Sequence, residues 1–399
     1  MNQAGIYLSI PFCRQKCTYC NFASEARAPE SLPEYLRLLE SEILNRATLW
    51  QAAGIPPSSG VTADSIYLGG GTPGLLSSEE LAALLRMACA SFQVELGAGS
   101  KAEITIEAAP ENVTLENASA WAACSVNRIS MGVQSMVTEE LRAVGRMHDA
   151  ETVRRAFAAL RNARIENISV DLIAGLPHQT PASWRASLEA LLDLRPAHFS
   201  VYMLEVDEDS RLGRELLGGG SRYRTAAIPA EDQVAAFYCE AVETLRRAGY
   251  EHYEISNFAL PSRQSRHNWK YWTNARYFGF GVDAHSYDGE RRWANTDSLD
   301  AYIEKLSRGE SPVVECKTLA PQEQLEERFF LGLRRRIGVS LPELDAEFAT
   351  HFPWGASERY NGTVQELIAA GWLERSGDCL RLTERGVLFS NEVFAGFIQ

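Results

Sequence analysis

Residues 6–22 read Ile6-Tyr7-Leu8-Ser9-Ile10-Pro11-Phe12-Cys13-Arg14-Gln15-Lys16-Cys17-Thr18-Tyr19-Cys20-Asn21-Phe22. The run 6–10, ended by Pro11, reads as a short strand. Cys13, Cys17 and Cys20 then share one loop at its C-terminal end, spaced C-x3-C-x2-C. Thiolates on a tight loop can each take one iron of a four-iron cubane cluster. Three of them leave one iron open to a ligand that is not protein. A structural zinc site closes with four ligands, and the nearest further cysteine is Cys89. Ordinary buried thiols would not cluster on a loop with Lys16 and Asn21. Cys13, Cys17 and Cys20 are therefore expected to hold a [4Fe–4S] cluster.

At 399 residues the chain exceeds the size at which single cores stop growing, so two domains are expected. An apolar content of 45% is ordinary for a globular protein. No run of 18 or more apolar residues occurs, which argues against a transmembrane span. The stretch 1–10 has neither a basic n-region nor a long apolar h-region. With eight cysteines and no secretion signal, the expected setting is the reducing cytoplasm. A net charge of −13 opposes non-specific attraction to nucleic acid or anionic lipid.

Beyond the cysteines, 34–49 has apolar residues at helical spacing and 51–60 reads as a loop rich in Gly, Pro and Ser. A strand at 65–68 runs into Gly69-Gly70-Gly71-Thr72-Pro73, and Ser77 with Glu80 forms a capping box before the next helix. Strands at 103–107, 126–131, 168–173 and 198–203 alternate with helices at 114–124, 148–163, 183–194 and 231–248. This βα rhythm predicts a parallel sheet with outer helices. Six strands are too few for a closed eight-stranded barrel, so the expected fold is α/β, a partial TIM-like (β/α)6 barrel. Its site belongs at the C-terminal strand ends, where the cysteine loop, the triple glycine, Glu107, Gln134 and Asp171 all fall. Segment 252–259 is expected as one further strand, and 277–287 is Gly-rich around His285. Helices at 322–336, 341–349 and 359–370 and a hairpin at 371–383, turning at Ser376-Gly377, suggest a small winged-helix-like α+β domain. Residues 321–399 hold 8 Lys+Arg against 12 Asp+Glu, a balance of −4, so packing or a lid suits this domain better than nucleic-acid binding. The expected division is 1–255, a connecting segment 256–320, and 321–399.

The cysteine spacing resembles the signature of the radical S-adenosylmethionine (SAM) superfamily. That resemblance implies that the open iron chelates the amino and carboxylate groups of SAM, and that the reduced cluster cleaves it to a deoxyadenosyl radical. The Gly69–Pro73 loop offers backbone free of Cβ atoms to a ligand, and it resembles the glycine motif that holds the SAM amino group. Glu107 is a strand-end carboxylate, and Gln134 lies in Gly132-Val133-Gln134-Ser135. Arg146 can pair with a carboxylate through its planar fork, and Asp171, in Asp171-Leu172-Ile173-Ala174-Gly175-Leu176-Pro177, can accept from ribose hydroxyls. Together these motifs resemble the oxygen-independent coproporphyrinogen oxidase-like family over essentially the whole chain. By that likeness Tyr7, Gly70, Gly71, Thr72, Glu107, Gln134, Arg146 and Asp171 are the SAM contacts.

Two features point to the heme-chaperone branch of that family. The oxidase branch carries a further Cys two residues after the third, where this chain has Phe22. The run His267-Asn268-Trp269-Lys270-Tyr271-Trp272 resembles that branch's HNxxYW motif. Ser9 departs from the family's usual His. The resemblance implies a protein that binds heme, a [4Fe–4S] cluster and SAM and passes heme to acceptor hemoproteins or respiratory cytochromes. Peripheral membrane contact and a cluster-dependent homodimer are further expectations. His267 is the expected heme contact and His285 its rival. Trp269, Tyr271 and Trp272 are of a kind to stack on a porphyrin, and Arg263, Arg266 and Lys270 to meet its propionates. The alternatives are hydrogen-bonded packing by the HNWKYW turn, an oxygen-independent coproporphyrinogen III oxidase, and a nucleic-acid regulator, which the charge disfavours.

Overall fold

The computed structural model describes residues 3–24, 31–56, 60–97, 100–208, 210–220 and 225–398. Six strands, β1 (Ala4–Ile10), β2 (Ala63–Gly70), β3 (Glu103–Ala108), β4 (Arg128–Gln134), β5 (Asn167–Ala174) and β6 (His198–Met203), pair in sequence order, all parallel. Parallel neighbours need crossovers, and these are helical: α1 (Leu32–Ala52), α2 (Ser78–Ser91), α3 (Leu115–Ala123), α4 (Thr138–Ala143), α5 (Ala150–Asn162) and α6 (Pro181–Leu194). The capping box opens α2, with Glu80 N–H on Ser77 Oγ at 3.2 Å and Ser77 N–H on Glu80 Oε2 at 2.8 Å. The loop expected over 51–60 is shorter, because α1 continues through Ala52; residues 57–59 lie outside the described ones.

The strands differ sharply between their two faces. Ile6, Leu8, Ile66, Leu68, Ile104, Ile106, Ile129, Met131, Ile168, Val170, Leu172, Phe199 and Val201 are buried against the helices in one continuous core. Each contributes roughly 1.5–3 kcal/mol for the larger side chains. The alternate positions pair across the sheet as Tyr7, Tyr67 and Thr105, then Glu107, Ser130 and Ser169, then Gly132, Asp171 and Ser200. The inner face of the sheet, toward the lumen of the partial barrel, is therefore polar, unlike the apolar face packed on the helices.

Past β6 come α7 (Arg211–Leu217) and α8 (Glu231–Arg247). Residues 252–259 form a tight antiparallel hairpin, β7 (Glu251–Glu254) and β8 (Asn257–Ala259), instead of one strand. The segment 256–320, expected only to connect, builds a large part of the sheet. After α9 (Arg266–Trp272), β9 (Tyr277–Phe280) pairs parallel with the free edge of β1, and β10 (His285–Tyr287), β11 (Arg291–Asn295) and, beyond α10 (Leu299–Ser307), β12 (Val313–Thr318) continue it antiparallel. Among the described residues the sheet thus has twelve strands, in the order β12-β11-β10-β9-β1-β2-β3-β4-β5-β6-β8-β7.

The remainder, α11 (Pro321–Arg334), β13 (Val339–Ser340), α12 (Leu341–Glu347), α13 (Asn361–Ala369), β14 (Leu373–Ser376) and β15 (Cys379–Leu382), carries its own antiparallel sheet β13-β15-β14, a winged-helix-like arrangement. Among the described residues no helix is long and apolar enough to cross a membrane.

Candidate functional site

The mouth of the lumen is built by two loops joined through their backbones. Gly71 N–H donates to Ile10 O at 2.9 Å and Thr72 N–H to Phe12 O at 2.8 Å. A Cβ on Gly71 would stand 2.6 Å from Phe12 O and 2.7 Å from Ile10 O, so this approach requires glycine. Thr72 Oγ1 then reaches Cys13 Sγ at 3.6 Å. The other side of the cysteine loop is held by α7, an element not expected from sequence. Leu212 N–H donates to Thr18 O at 2.8 Å, and the Arg211 guanidinium to Lys16 O. Phe22 is 66% exposed.

Cys13, Cys17 and Cys20 are free and half-buried. Burial raises the Cys13 thiol, hydrogen bonds from Thr72 and Ser24 lower it, and the charges of Cys20 and Cys17 raise it. Among the described residues no three His, Cys, Asp or Glu side chains already converge as a metal site. The donor set nevertheless fits an iron–sulfur cluster, whose binding would gather the thiolates.

Below the loop, half-buried carboxyls line the lumen. Burial lifts Glu107 to about 7 against hydrogen bonds from Tyr67 and the Gly70 N–H and with repulsion from Asp171. Tyr67 OH donates to Glu107 Oε1 at 2.8 Å. Asp171 is lifted to about 6 by burial, partly offset by Ser200, Arg146, Arg128 and Ser130. Arg146 Nη2 donates to Tyr19 OH at 3.2 Å. It meets Gln134 over Gly132, where an added Cβ would be 2.9 Å from both Arg146 Nη2 and Gln134 Nε2. Gln134 adopts φ +66°, a left-handed conformation that costs a non-glycine residue free energy. Gln134 Oε1 and Arg146 Nε are buried, with no hydrogen-bond partner among the described residues. Each such atom costs about 1–3 kcal/mol unless a ligand satisfies it. The structure thus brings Tyr7, Gly70, Gly71, Thr72, Glu107, Gln134, Arg146 and Asp171 to one end of one lumen, with an acceptor and a donor left over for a polar guest.

Ser130, in the run whose amide and hydroxyl groups the sequence offered, belongs to the same surroundings, and so do Tyr67, Tyr19 and Ser200, which were missed from sequence. The signal was present: apolar and polar residues alternate in Ser65-Ile66-Tyr67-Leu68 and Ser169-Val170-Asp171-Leu172, and the polar set marks the lumen face.

His267 lies elsewhere. α9 crosses the opposite, N-terminal ends of the strands. His267 is 1% exposed, with Nδ1 hydrogen-bonded to Ser65 Oγ at 3.0 Å and Nε2 to Tyr271 OH at 2.9 Å. Both ring nitrogens are engaged, so the geometry favours the packing reading of the motif over His267 as an axial ligand. Its neighbours pack likewise: Lys270 pairs with Asp64 at 2.6 Å, Arg266 with Asp64 at 3.4 Å, and Arg334 sits 4.4 Å above the Trp272 ring. His148, His198 and His252 are buried and hydrogen-bonded. His285, 65% exposed with Asp283 Oδ1 at 3.8 Å, stands where the chain emerges from β9 beside β1.

A model of the radical SAM superfamily matches residues 7–191, and one of the HemN C-terminal domain matches residues 319–389. The heme chaperone HemW of Bacillus subtilis is 33% identical over 98% of each chain. This chain belongs to the HemW family. HemW of Lactococcus lactis is 32% identical over 98% of this chain and 96% of its own. The mitochondrial radical S-adenosyl methionine domain-containing protein 1 of Mus musculus is 32% identical over 93% and 82%. The solved structure of coproporphyrinogen III oxidase (HemN) from Escherichia coli superposes with a TM-score of 0.83 over 99% of this chain and 90% of its own, at 22% identity. This chain and that oxidase therefore share one fold over nearly their whole lengths.

Proposed function

We propose that this chain is a heme chaperone that binds heme and hands it to acceptor hemoproteins, respiratory cytochromes among them. In this reading Cys13, Cys17 and Cys20 hold a [4Fe–4S] cluster. Gly70, Gly71 and Thr72 offer main-chain groups to the SAM amino end, with Glu107 as its counter-charge. Arg146 faces the SAM carboxylate, and Gln134 and Asp171 the ribose, with Tyr7 beside them. When bound, a reduced cluster supplies one electron to SAM. The unsatisfied Gln134 Oε1 and Arg146 Nε support a polar ligand in this lumen.

Phe22 supports the chaperone over the decarboxylating oxidase: it stands exposed beside the cysteine loop, where the family resemblance implies a further cysteine in the oxidase branch. The functional boundary is proposed at residue 321, with the preceding sheet acting as one body. A cytoplasmic setting, contact with a membrane surface and a cluster-dependent dimer belong to the same proposal.

The test is anaerobic reconstitution followed by heme titration. Wild type is expected to saturate with a Soret shift. His267→Ala should keep that shift, and His285→Ala should lose or weaken it, because His285 offers an open imidazole. A wild type with no saturable Soret change, but consuming coproporphyrinogen with SAM, would replace this reading with the oxidase. Cys13→Ser, Cys17→Ser and Cys20→Ser should each abolish the iron–sulfur absorbance.

A further inference from the structure

The HNWKYW helix α9 is fixed to the first residues of three strands. The N–H groups of Arg266 and His267 donate to the two oxygens of Glu103 at 3.2 and 3.1 Å. Lys270 Nζ meets Asp64 Oδ1 at 2.6 Å and donates to Gln3 O at 2.9 Å. With both ring nitrogens held, the His267 imidazole has one orientation. Its ring packs against that of Tyr67, with centroids 5.2 Å apart. The Tyr67 ring stacks in turn on Tyr7 at 6.1 Å, and its hydroxyl donates to Glu107 Oε1 at 2.8 Å. These three side chains close over Gly69, where a Cβ would stand 3.0 Å from Tyr67, 3.1 Å from Glu107 and 3.1 Å from Tyr7.

We infer that the HNWKYW helix is a positioning device for the lumen carboxyl: His267 sets the Tyr67 ring, and Tyr67 sets the Glu107 carboxylate against the Gly70 loop. The inference rests on the reading of that lumen as the SAM site. His267 and Tyr67 are positioning residues, and Glu107 is the group that meets the ligand. A motif at one end of the strands thereby acts on the site at the other end through one imidazole and one phenol. The phenol is the decisive link, because its hydroxyl is the side-chain donor to a carboxyl that burial otherwise drives toward the protonated form. The groups acting on that carboxyl are Tyr67 and the Gly70 N–H from β2, Asp171 from β5, Tyr7 from β1 and Tyr271 from α9.

The experiment uses the full chain and two readouts. One is the titration midpoint of Glu107, followed by carbon-13 NMR of glutamate-labelled protein without SAM and assigned with Glu107→Gln. The other is SAM affinity by equilibrium dialysis after cluster reconstitution. Tyr67→Phe keeps the ring and deletes the donor. The Glu107 midpoint should rise and SAM affinity should fall about 3- to 10-fold, the worth of one hydrogen bond. His267→Ala, and the milder His267→Gln, should move both readouts in the same direction. Added to Tyr67→Phe, either should change SAM affinity by less than about two-fold, since all act through one contact. The inference is overturned if Glu107 titrates as in wild type in folded His267→Gln, or if the substitutions add in full. A wild type that binds no SAM overturns the reading of the lumen instead, and the carboxyl titration still decides the relay.

Discussion

Gly71 joins the two loops of the mouth, because its missing side chain lets the cysteine loop lie on the strand-two turn. Gly71→Ala places a methyl group against Phe12 O and Ile10 O, which are backbone atoms and cannot swing aside. The expected cost is about 1–3 kcal/mol of stability, as for other overpacked sites. Because the displaced backbone belongs to the cysteine loop, iron content after reconstitution should fall as well as the melting temperature. An alanine at Gly70 meets a different obstacle: φ there is +97°, a conformation that disfavours any side chain. His267 shows the reverse relation between residue type and role. Burial and the neighbouring Lys270 hold its imidazole near 3, so it is neutral at working pH. A histidine is no sensor when its proton equilibrium has been moved out of range.

At the scale of elements, the helix that follows the cysteine loop is tied to the sheet by a buried carboxyl. Glu42 of α1 accepts from Tyr302 OH at 2.6 Å, Asn295 Nδ2 at 2.7 Å and Gly281 N–H at 2.8 Å, linking α10, β11 and the turn after β9. Tyr35, also on α1, donates to Ser9 O at 2.6 Å and accepts from Val282 N–H at 3.2 Å. Burial lifts Glu42 to about 7 despite these hydrogen bonds, from an ordinary 4.5. The folded pKa lies above the unfolded one, so the fold favours the protonated form. The contribution to stability is full below about pH 4.5 and is lost as pH rises through about 7. Acidification from about pH 8 to about pH 5.5 should therefore raise the melting temperature, and Glu42→Gln should flatten that rise. Glu107 and Asp171 carry shifts of the same sign, so the difference between the two proteins is the quantity to read.

At the scale of the whole molecule, the C-terminal domain docks on the extended sheet through charge as well as apolar packing. Arg292 of β11 donates to Glu327 of α11 at 2.7 Å and to Tyr277 OH at 2.8 Å, and lies 4.3 Å over the Tyr287 ring. Arg292→Ala would leave Glu327, nearly buried, with Asn274 at 3.1 Å as its remaining hydrogen-bond donor. A loss of about 1–3 kcal/mol is expected for a pair this deep but not fully desolvated. It should show as earlier unfolding of the C-terminal domain in urea, separate from the main transition. Pairing within the large sheet accounts for a strand missed from sequence: residues 277–280 are Tyr-Phe-Gly-Phe, too short and too broken by glycine to declare a strand alone. The edge of β1 makes them one by offering hydrogen bonds from Gly5 to Leu8.

Local chemistry determined much of this protein. The cysteine loop, the triple-glycine turn, the six βα units and their order follow from period, punctuation and residue type along the chain, because each depends on neighbours within a few residues. The lumen residues were also legible as a set, since every strand of a parallel array ends on the same side. Tertiary structure decided what depends on partners remote in sequence. It turned a connecting segment into four strands of the sheet, split 252–259 into a hairpin, and brought α7 against the cysteine loop. It also placed His267 against Tyr67, two hundred residues away along the chain, where both ring nitrogens are satisfied. Whether an imidazole is a ligand or a brace depends on which atoms surround it, and those atoms come from Ser65 and Tyr271 on two different elements.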